Sequence, residues 1–94
     1  MTITLSLPYD LSPNQWEIVL AVFRSMDGWI DDDATDIPRW YGRETDDRFI
    51  SASVEPSGLL LEGNLEPVHW TGWISVLCSR LSRELDMEIR DAEL

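Results

Sequence analysis

Hydrophobic and polar positions alternate at the start of the chain and then take up a helical spacing. The alternation covers TITLSL, residues 2–7, and has the period of a half-buried strand. From residue 12 to residue 28, apolar residues recur three and four positions apart, as on one face of a helix. Three start signals precede them: Ser12 can cap the helix, Pro13 fits its first position, and Gln15 completes a capping box. The pattern predicts a strand followed by a helix.

The second half of the chain repeats this order with a hairpin in place of the single strand. FISASVEPSGLLLEG, residues 49–63, has strand character on both sides of a turn that contains proline and glycine, which predicts two antiparallel strands. Residues 65–85 carry one apolar stripe that begins after Pro67 and predicts a second helix. The final MEIRDAEL, residues 87–94, alternates again and predicts a last strand.

The predicted element order is β-α-β-β-α-β over a single domain, residues 1–94. That order is the split β-α-β arrangement, an α+β fold of ferredoxin-like type with an antiparallel sheet that carries both helices on one face. Right-handed crossovers would place the first and last strands side by side near the sheet centre, paired with the hairpin. Because this fold hosts many unrelated functions, it does not indicate what the chain does.

Charge narrows the choice of partner. Eighteen acidic residues face seven arginines, and the net charge is −11. Such a surface repels phosphate backbones and anionic lipids, so we expect neither direct nucleic-acid binding nor membrane binding, and we expect attraction to a cationic protein partner. No signal-peptide pattern or membrane-length apolar run is present, and the single cysteine is typical of a reducing compartment. These features predict a cytoplasmic protein.

The residue types that carry most enzyme chemistry are scarce. His69, the one histidine, falls in the first turn of the second predicted helix, where a hydrogen-bonded structural role is common. Cys78 lies on or beside the apolar stripe, where a thiol packs. A calcium-binding EF-hand loop started at Asp31 would have Asp36 in place of glycine and Gly42 in place of the bidentate glutamate. We therefore expect no catalytic residue, no metal site, no cofactor and no enzymatic activity.

The segment from Asp27 to Arg48, hereafter the acidic segment, is the candidate site. It holds eight acidic residues and three arginines, a local net charge of −5, and no sustained period. Self-repulsion of this kind costs stability, which a cationic partner with anchoring contacts would offset. The predicted partner-binding residues are the aspartates and aromatics of its first half: Trp29, Asp31, Asp32, Asp33, Asp36, Trp40 and Tyr41. The alternative is a solvated acidic loop whose aromatics pack inward with Ile30 and Ile37.

The C-terminal part of the chain resembles a known family type. GLLLEGNLEPVHWTGWISVLCSRLSRELDMEIRDAEL, a strand followed by a Trp-rich helix and an acidic end, looks like the small acidic bacterial immunity proteins of contact-dependent and polymorphic toxin systems. The resemblance implies a stoichiometric inhibitor that binds its cognate toxin domain in the cytosol, often a nuclease with a basic active-site cleft. In that role the aspartates would compete with substrate phosphates for the arginines and lysines of the cleft.

Two other functions fit the same sequence, and a third alternative, an enzyme or small-ligand domain, lacks the site that it would need. A nucleic-acid mimic, such as a phage-encoded inhibitor of a bacterial defence nuclease, would use the same charge on a different target. A non-catalytic homodimeric interaction module would use the open face of the sheet. An enzyme or small-ligand domain would need a polar cluster around His69 or a formed pocket.

Overall fold

The computed structural model describes residues 1–31 and 37–92. Its elements in chain order are the following: β1 (Thr2–Leu5), α1 (Pro13–Ser25), β2 (Arg39–Trp40), β3 (Phe49–Glu55), β4 (Gly58–Asn64) and α2 (Pro67–Leu85). The strands form one sheet in the order β1-β4-β3-β2, in which all neighbours are antiparallel. The predicted α+β class, with an antiparallel sheet and two helices, is confirmed.

The predicted start of α1 is confirmed in detail. The Ser12 hydroxyl accepts a hydrogen bond from the Gln15 backbone N–H at 3.2 Å, and the Gln15 side chain accepts one from the Ser12 N–H at 2.9 Å. Pro13 stands at the first helical position, where its missing N–H removes no helical bond. These contacts satisfy donors that the first turn would otherwise leave unpaired.

The hairpin forms where the sequence predicts it. Glu55 pairs with Gly58, so the turn consists of two residues, 56 and 57. Gly58 has φ +138°, and a Cβ there would lie 2.1 Å from the carbonyl oxygen of Leu5. Only glycine therefore lets β1 approach the start of β4 this closely.

Burial alternates along the central strand and shows which side of the sheet faces the helices. Leu59 and Leu61 of β4 are buried, whereas Glu62 between the inward positions is exposed. The inward side chains join one core with buried residues of both helices, such as Phe23 of α1 and Leu77 of α2. The two helices also pack against each other. Neither helix of the described ranges has the combined length and apolar content needed to cross a bilayer.

The predicted last strand is wrong as a strand. After α2 the Ser82 hydroxyl accepts the Ile89 N–H at 3.0 Å and turns the chain, so that Ile89 enters the core. Only a short stretch then runs beside β1, with a single bridge between Leu5 and Asp91 and two flanking backbone hydrogen bonds of 2.8 Å. The expected central position of β1 is corrected too, because β1 ends the four-strand order and has only this short stretch on its other edge.

Candidate functional site

The first half of the acidic segment contains more regular structure than its sequence suggests. Residues 28–30 and 39–41 form an antiparallel ribbon, in which Trp29 pairs with Trp40. The Ile30 N–H donates to the Arg39 carbonyl at 3.0 Å, and the Tyr41 N–H donates to the Gly28 carbonyl at 2.8 Å. β2 connects this ribbon to the main sheet through its pairing with β3. The ribbon fixes the direction of all three aromatic rings of the segment.

Trp40 is part of the core, and the prediction that it anchors a partner is wrong. Its side chain is 0% exposed. The indole N–H donates to the Phe23 carbonyl at 2.9 Å, and the ring makes edge contacts with Phe23, Trp29 and Trp73 at centroid distances of 5.3, 5.6 and 4.9 Å. A tryptophan needs both apolar neighbours and a hydrogen-bond acceptor when it is buried, and this position supplies both.

Trp29 is partly buried and covers one side of this cluster by its contact with Trp40. The alternative of inward-packing aromatics therefore describes the rings better than the anchor hypothesis does. Ile37, which that alternative also placed inside, is 48% exposed instead. Ile37, and not Trp40, is therefore an exposed apolar side chain of the segment.

Tyr41 has an unusual backbone conformation. Its φ of +69° lies in the left-handed region, which is rarely populated by residues other than glycine, asparagine and aspartate. Gly28, with φ +86°, lies against the tyrosine ring, and a Cβ at Gly28 would be 2.7 Å from a ring carbon. Tertiary contacts therefore hold Tyr41 in a conformation that costs energy locally.

A hydrogen-bonded chain surrounds the Tyr41 hydroxyl. The hydroxyl donates to Asp27 Oδ2 at 2.9 Å and lies 3.0 Å from His69 Nε2, while Arg48 Nη2 lies 3.1 Å from His69 Nδ1. A guanidinium can only donate, so Nδ1 is the acceptor and neutral His69 carries its proton on Nε2, directed at Tyr41. Desolvation by burial, followed by the bond to Asp27, raises the pKa of Tyr41 to about 12.

This chain of contacts meets the condition set for an enzyme or small-ligand domain, since it is a polar cluster around His69. A cavity of about 540 Å³ lies beside it, and the lining of this cavity includes Asp47, Arg48 and His69. Both ring nitrogens of His69 are already engaged, and their partners are a tyrosine and an arginine rather than a serine or cysteine nucleophile. The arrangement orders the segment against α2 and leaves the imidazole no free lone pair for a substrate.

The sequence contains no signal for this cluster. Asp27 follows α1, Tyr41 follows β2, Arg48 precedes β3, and His69 lies in the first turn of α2. Asp27 and His69 are 42 positions apart in the chain. No spacing rule connects side chains that only the tertiary fold brings together.

The carboxylates of the acidic segment differ in how far the protein engages them. Glu44 pairs with Arg39 at 3.2 Å, and hydrogen bonds from its own backbone N–H and from Arg39 lower its pKa. Asp46 accepts the Arg43 N–H at 2.7 Å. Asp31 and Asp47 are exposed, and within the described ranges neither carboxylate has a hydrogen bond or an ion pair. Three predicted site residues, Asp32, Asp33 and Asp36, lie outside the described residues.

Four arginines make described contacts that do not involve the carboxylates of Asp31 and Asp47. Arg80 donates to the Ser25 carbonyl at 2.9 Å, and Arg48 is used by His69. Arg83 and Arg90 pair at 3.3 and 3.7 Å with glutamates one and two residues away in sequence. Exposed pairs of this kind contribute little stability. Within the described residues, the exposed carboxylates of Asp31 and Asp47 are therefore not paired with an arginine.

The structure also shows the surroundings of Cys78 and of the possible metal ligands. Cys78 is half-buried against the core, and desolvation, together with the charge of Asp91, raises the pKa of its thiol. A raised pKa lowers the fraction of reactive thiolate at neutral pH. In residues 1–31 and 37–92, no group of three or more histidine, cysteine or acidic side chains is arranged to hold a metal ion.

No protein-family model matches the chain, and neither does a curated protein or a solved structure.

Proposed function

We propose that the protein is an inhibitor of the immunity type, which binds and neutralises a cationic protein through its acidic surface. The observation that carries the proposal is the mismatch between carboxylates and arginines. Asp31 and Asp47 are exposed and unpaired in the described ranges, while Arg48 and Arg80 are used for contacts with neutral groups of the protein. A net charge of −11 favours association with a positively charged surface.

The partner that fits best is a toxin domain with a basic cleft, such as a nuclease. Arginines and lysines in a nuclease cleft bind phosphate oxygens, and carboxylates can take the same charge-assisted hydrogen bonds. The acidic segment would supply those carboxylates, and Asp31 and Asp47 are its exposed, unpaired members within the described residues. Long-range attraction would accelerate capture of the toxin.

We also infer the ferredoxin-like form of the split β-α-β fold for this inhibitor. Two features support it: β1 pairs with β4 rather than with β3, and the stretch around Asp91 lies on the other edge of β1. In a ferredoxin-like sheet the first strand likewise lies between the returning strand of the hairpin and the last strand. The two-residue β2 would then be an addition at the opposite edge.

The proposal is tested by capture followed by inhibition. The chain, immobilised at low salt, is expected to retain a basic protein from the source organism, and a bait with Asp31, Asp32, Asp33 and Asp36 changed to Asn is expected to retain much less of it. The captured protein is then assayed for its own activity during titration with the chain. Loss of activity at one equivalent supports the inhibitor. A captured protein that remains fully active in the saturated complex contradicts it.

A further inference from the structure

An apolar groove lies between α1 and the β3 edge of the sheet. Its volume is about 410 Å³, and its walls include Trp16 and Leu20 of α1, Ile37 and Pro38 before β2, and Val54 of β3. The groove does not include the Tyr41–His69 cluster or its cavity. It is a separate surface feature of the same face of the sheet that carries the helices.

The groove exists because the last residues on the core-facing side of β3 are not covered by the rest of the protein. Ile50, Ala52 and Val54 point to the same side of the strand, yet their exposed fractions are 0%, 4% and 46%. Ile37 across the groove is also about half exposed. Large apolar side chains that remain exposed around a concave surface are typical of a binding site.

Carboxylates stand at the rim. The Glu55 carboxylate accepts the hydroxyl of Ser53, a lining residue, at 2.8 Å. Glu17 is exposed and precedes Leu20 by one helical turn. Continuing the antiparallel register of the Trp29–Trp40 pair places the exposed Asp31 opposite Pro38. Each of these three acidic residues thus neighbours a lining residue, and the single arginine of α1, Arg24, lies one turn beyond Leu20.

We propose that this groove receives a bulky apolar side chain from a partner segment that carries arginine or lysine on both sides of it. The inference rests on the proposed function and adds the place where an apolar anchor enters. It reverses the expected roles, because the anchoring side chain comes from the cationic partner and the pocket from this chain. Rim carboxylates would bind the flanking cations while the central side chain loses its contact with water.

The other occupants fit less well. The neighbouring residues 32–36, DDATD, offer only Ala34 and the Thr35 methyl group as apolar material, so they are chemically unsuited to fill the groove. A second copy of the chain would bring another net charge of −11 to an anionic rim. Charge complementarity therefore selects a basic segment with an apolar centre.

The test uses a labelled peptide with one tryptophan between two pairs of arginines, and a second peptide with alanine at the centre. Binding is followed by fluorescence anisotropy, and the contact surface of the wild-type protein is mapped by amide chemical shifts. We expect the largest shifts at Ile37, Val54 and Leu20, and at least tenfold weaker binding of the alanine peptide. Hot-spot contacts suggest that Val54→Lys weakens binding of the tryptophan peptide about 30-fold. Val68→Lys is the matched control, because Val68 is 85% exposed on α2, outside the groove.

Each outcome has a distinct meaning. Near-UV circular dichroism first establishes that both lysine variants are folded, and the shift map of the wild type does not depend on them. Equal binding by the Val54→Lys and Val68→Lys proteins, or shifts confined to other surfaces, overturns the groove. If that binding is nevertheless lost in the four-aspartate variant, the charge-based function stands without the groove. Failure of the peptide to bind at all overturns the groove, while the capture experiment still decides the inhibitor. A concentration-dependent dimer that Val54→Lys dissociates assigns the groove to a second copy instead.

Discussion

Trp40 and Asp31 lie nine residues apart in the acidic segment and have opposite environments. Trp40 is completely buried, in contact with three other aromatic rings, whereas Asp31 is exposed and unpaired within the described ranges. The ribbon between residues 28–30 and 39–41 separates the two, since it holds the rings against the core. One segment therefore has a structural inner side and a charged outer side, and its composition alone does not distinguish them.

The comparison explains why part of the anchor hypothesis fails. An aromatic residue in a stretch without period can close an open edge of the core as readily as it can contact a partner. Here β2 is only two residues long, too short to produce an alternation in the sequence, yet it brings Trp40 opposite Ile50. The charge hypothesis does not depend on that detail, because no short-range contact is needed for carboxylates to attract a cation.

The largest effect is expected inside the segment. Trp40→Ala removes a fully buried indole and one of the two donors to the Phe23 carbonyl, which keeps the Met26 N–H, so it should lower the free energy of unfolding by about 3 to 5 kcal/mol. Tyr9→Ala, at a side chain that is 61% exposed, is the control and should change it by less than about 0.5 kcal/mol. Urea denaturation measures both. If Trp40→Ala lowered the free energy of unfolding as little as the control does, Trp40 would not be a core residue.

The second prediction concerns the titration of the Tyr41 hydroxyl. Its pKa is about 12 in the folded protein and 10.0 in the reference state, so the folded chain binds the proton more tightly. The stabilising contribution is complete below about pH 10 and is lost as pH rises through about 12. Ultraviolet titration of a Tyr9→Phe protein isolates Tyr41, and Tyr41→Phe should remove part of the alkaline loss of stability. A Tyr41 transition near pH 10 in the folded protein is the contrary result.

A smaller effect of opposite sign is expected on the outer side. Replacing Asp31, Asp32, Asp33 and Asp36 by Asn relieves like-charge repulsion, which is about 0.6 kcal/mol for a pair 7 Å apart in water. The unbound variant should be more stable than the wild type by roughly 1 kcal/mol at low salt, and the gain should vanish near 1 M salt, where screening is nearly complete. A matched control removes four exposed charges elsewhere that have no described ion pair, by changing Asp10 and Asp86 to Asn and Glu62 and Glu66 to Gln. A loss of stability specific to the segment variant would show that these aspartates support the fold.

The sequence predicted the features that depend on neighbouring residues and did not predict those that depend on tertiary contacts. The capping box of α1, the two-residue hairpin turn and the apolar stripe of α2 follow from neighbouring residues, and all three are confirmed. The last strand and the Tyr41–His69 contact depend on how distant elements meet. Ser82 redirects the chain after α2, and His69 meets a tyrosine 28 positions earlier, so neither outcome has a local signature.

The surface was predicted only as far as its charge. Counting acidic residues and arginines identifies the anionic segment, because charge is a property of composition. The groove beside Val54 was not predicted, since its existence depends on where α1 stops covering β3. Periodicity assigns Val54 to the inward side of the strand, but it does not show whether other residues pack over the Val54 side chain.

The most direct test of the central claim is the rate at which the captured basic protein associates with the chain. Stopped-flow measurements at about 20 mM and about 500 mM salt would compare the wild type, the four-Asn segment variant and the matched charge control. If the outer carboxylates steer binding, the segment variant should associate at least tenfold more slowly than the wild type at low salt, the control should fall between them, and the three rates should converge at high salt. Equal rates for all three proteins at low salt would contradict the account.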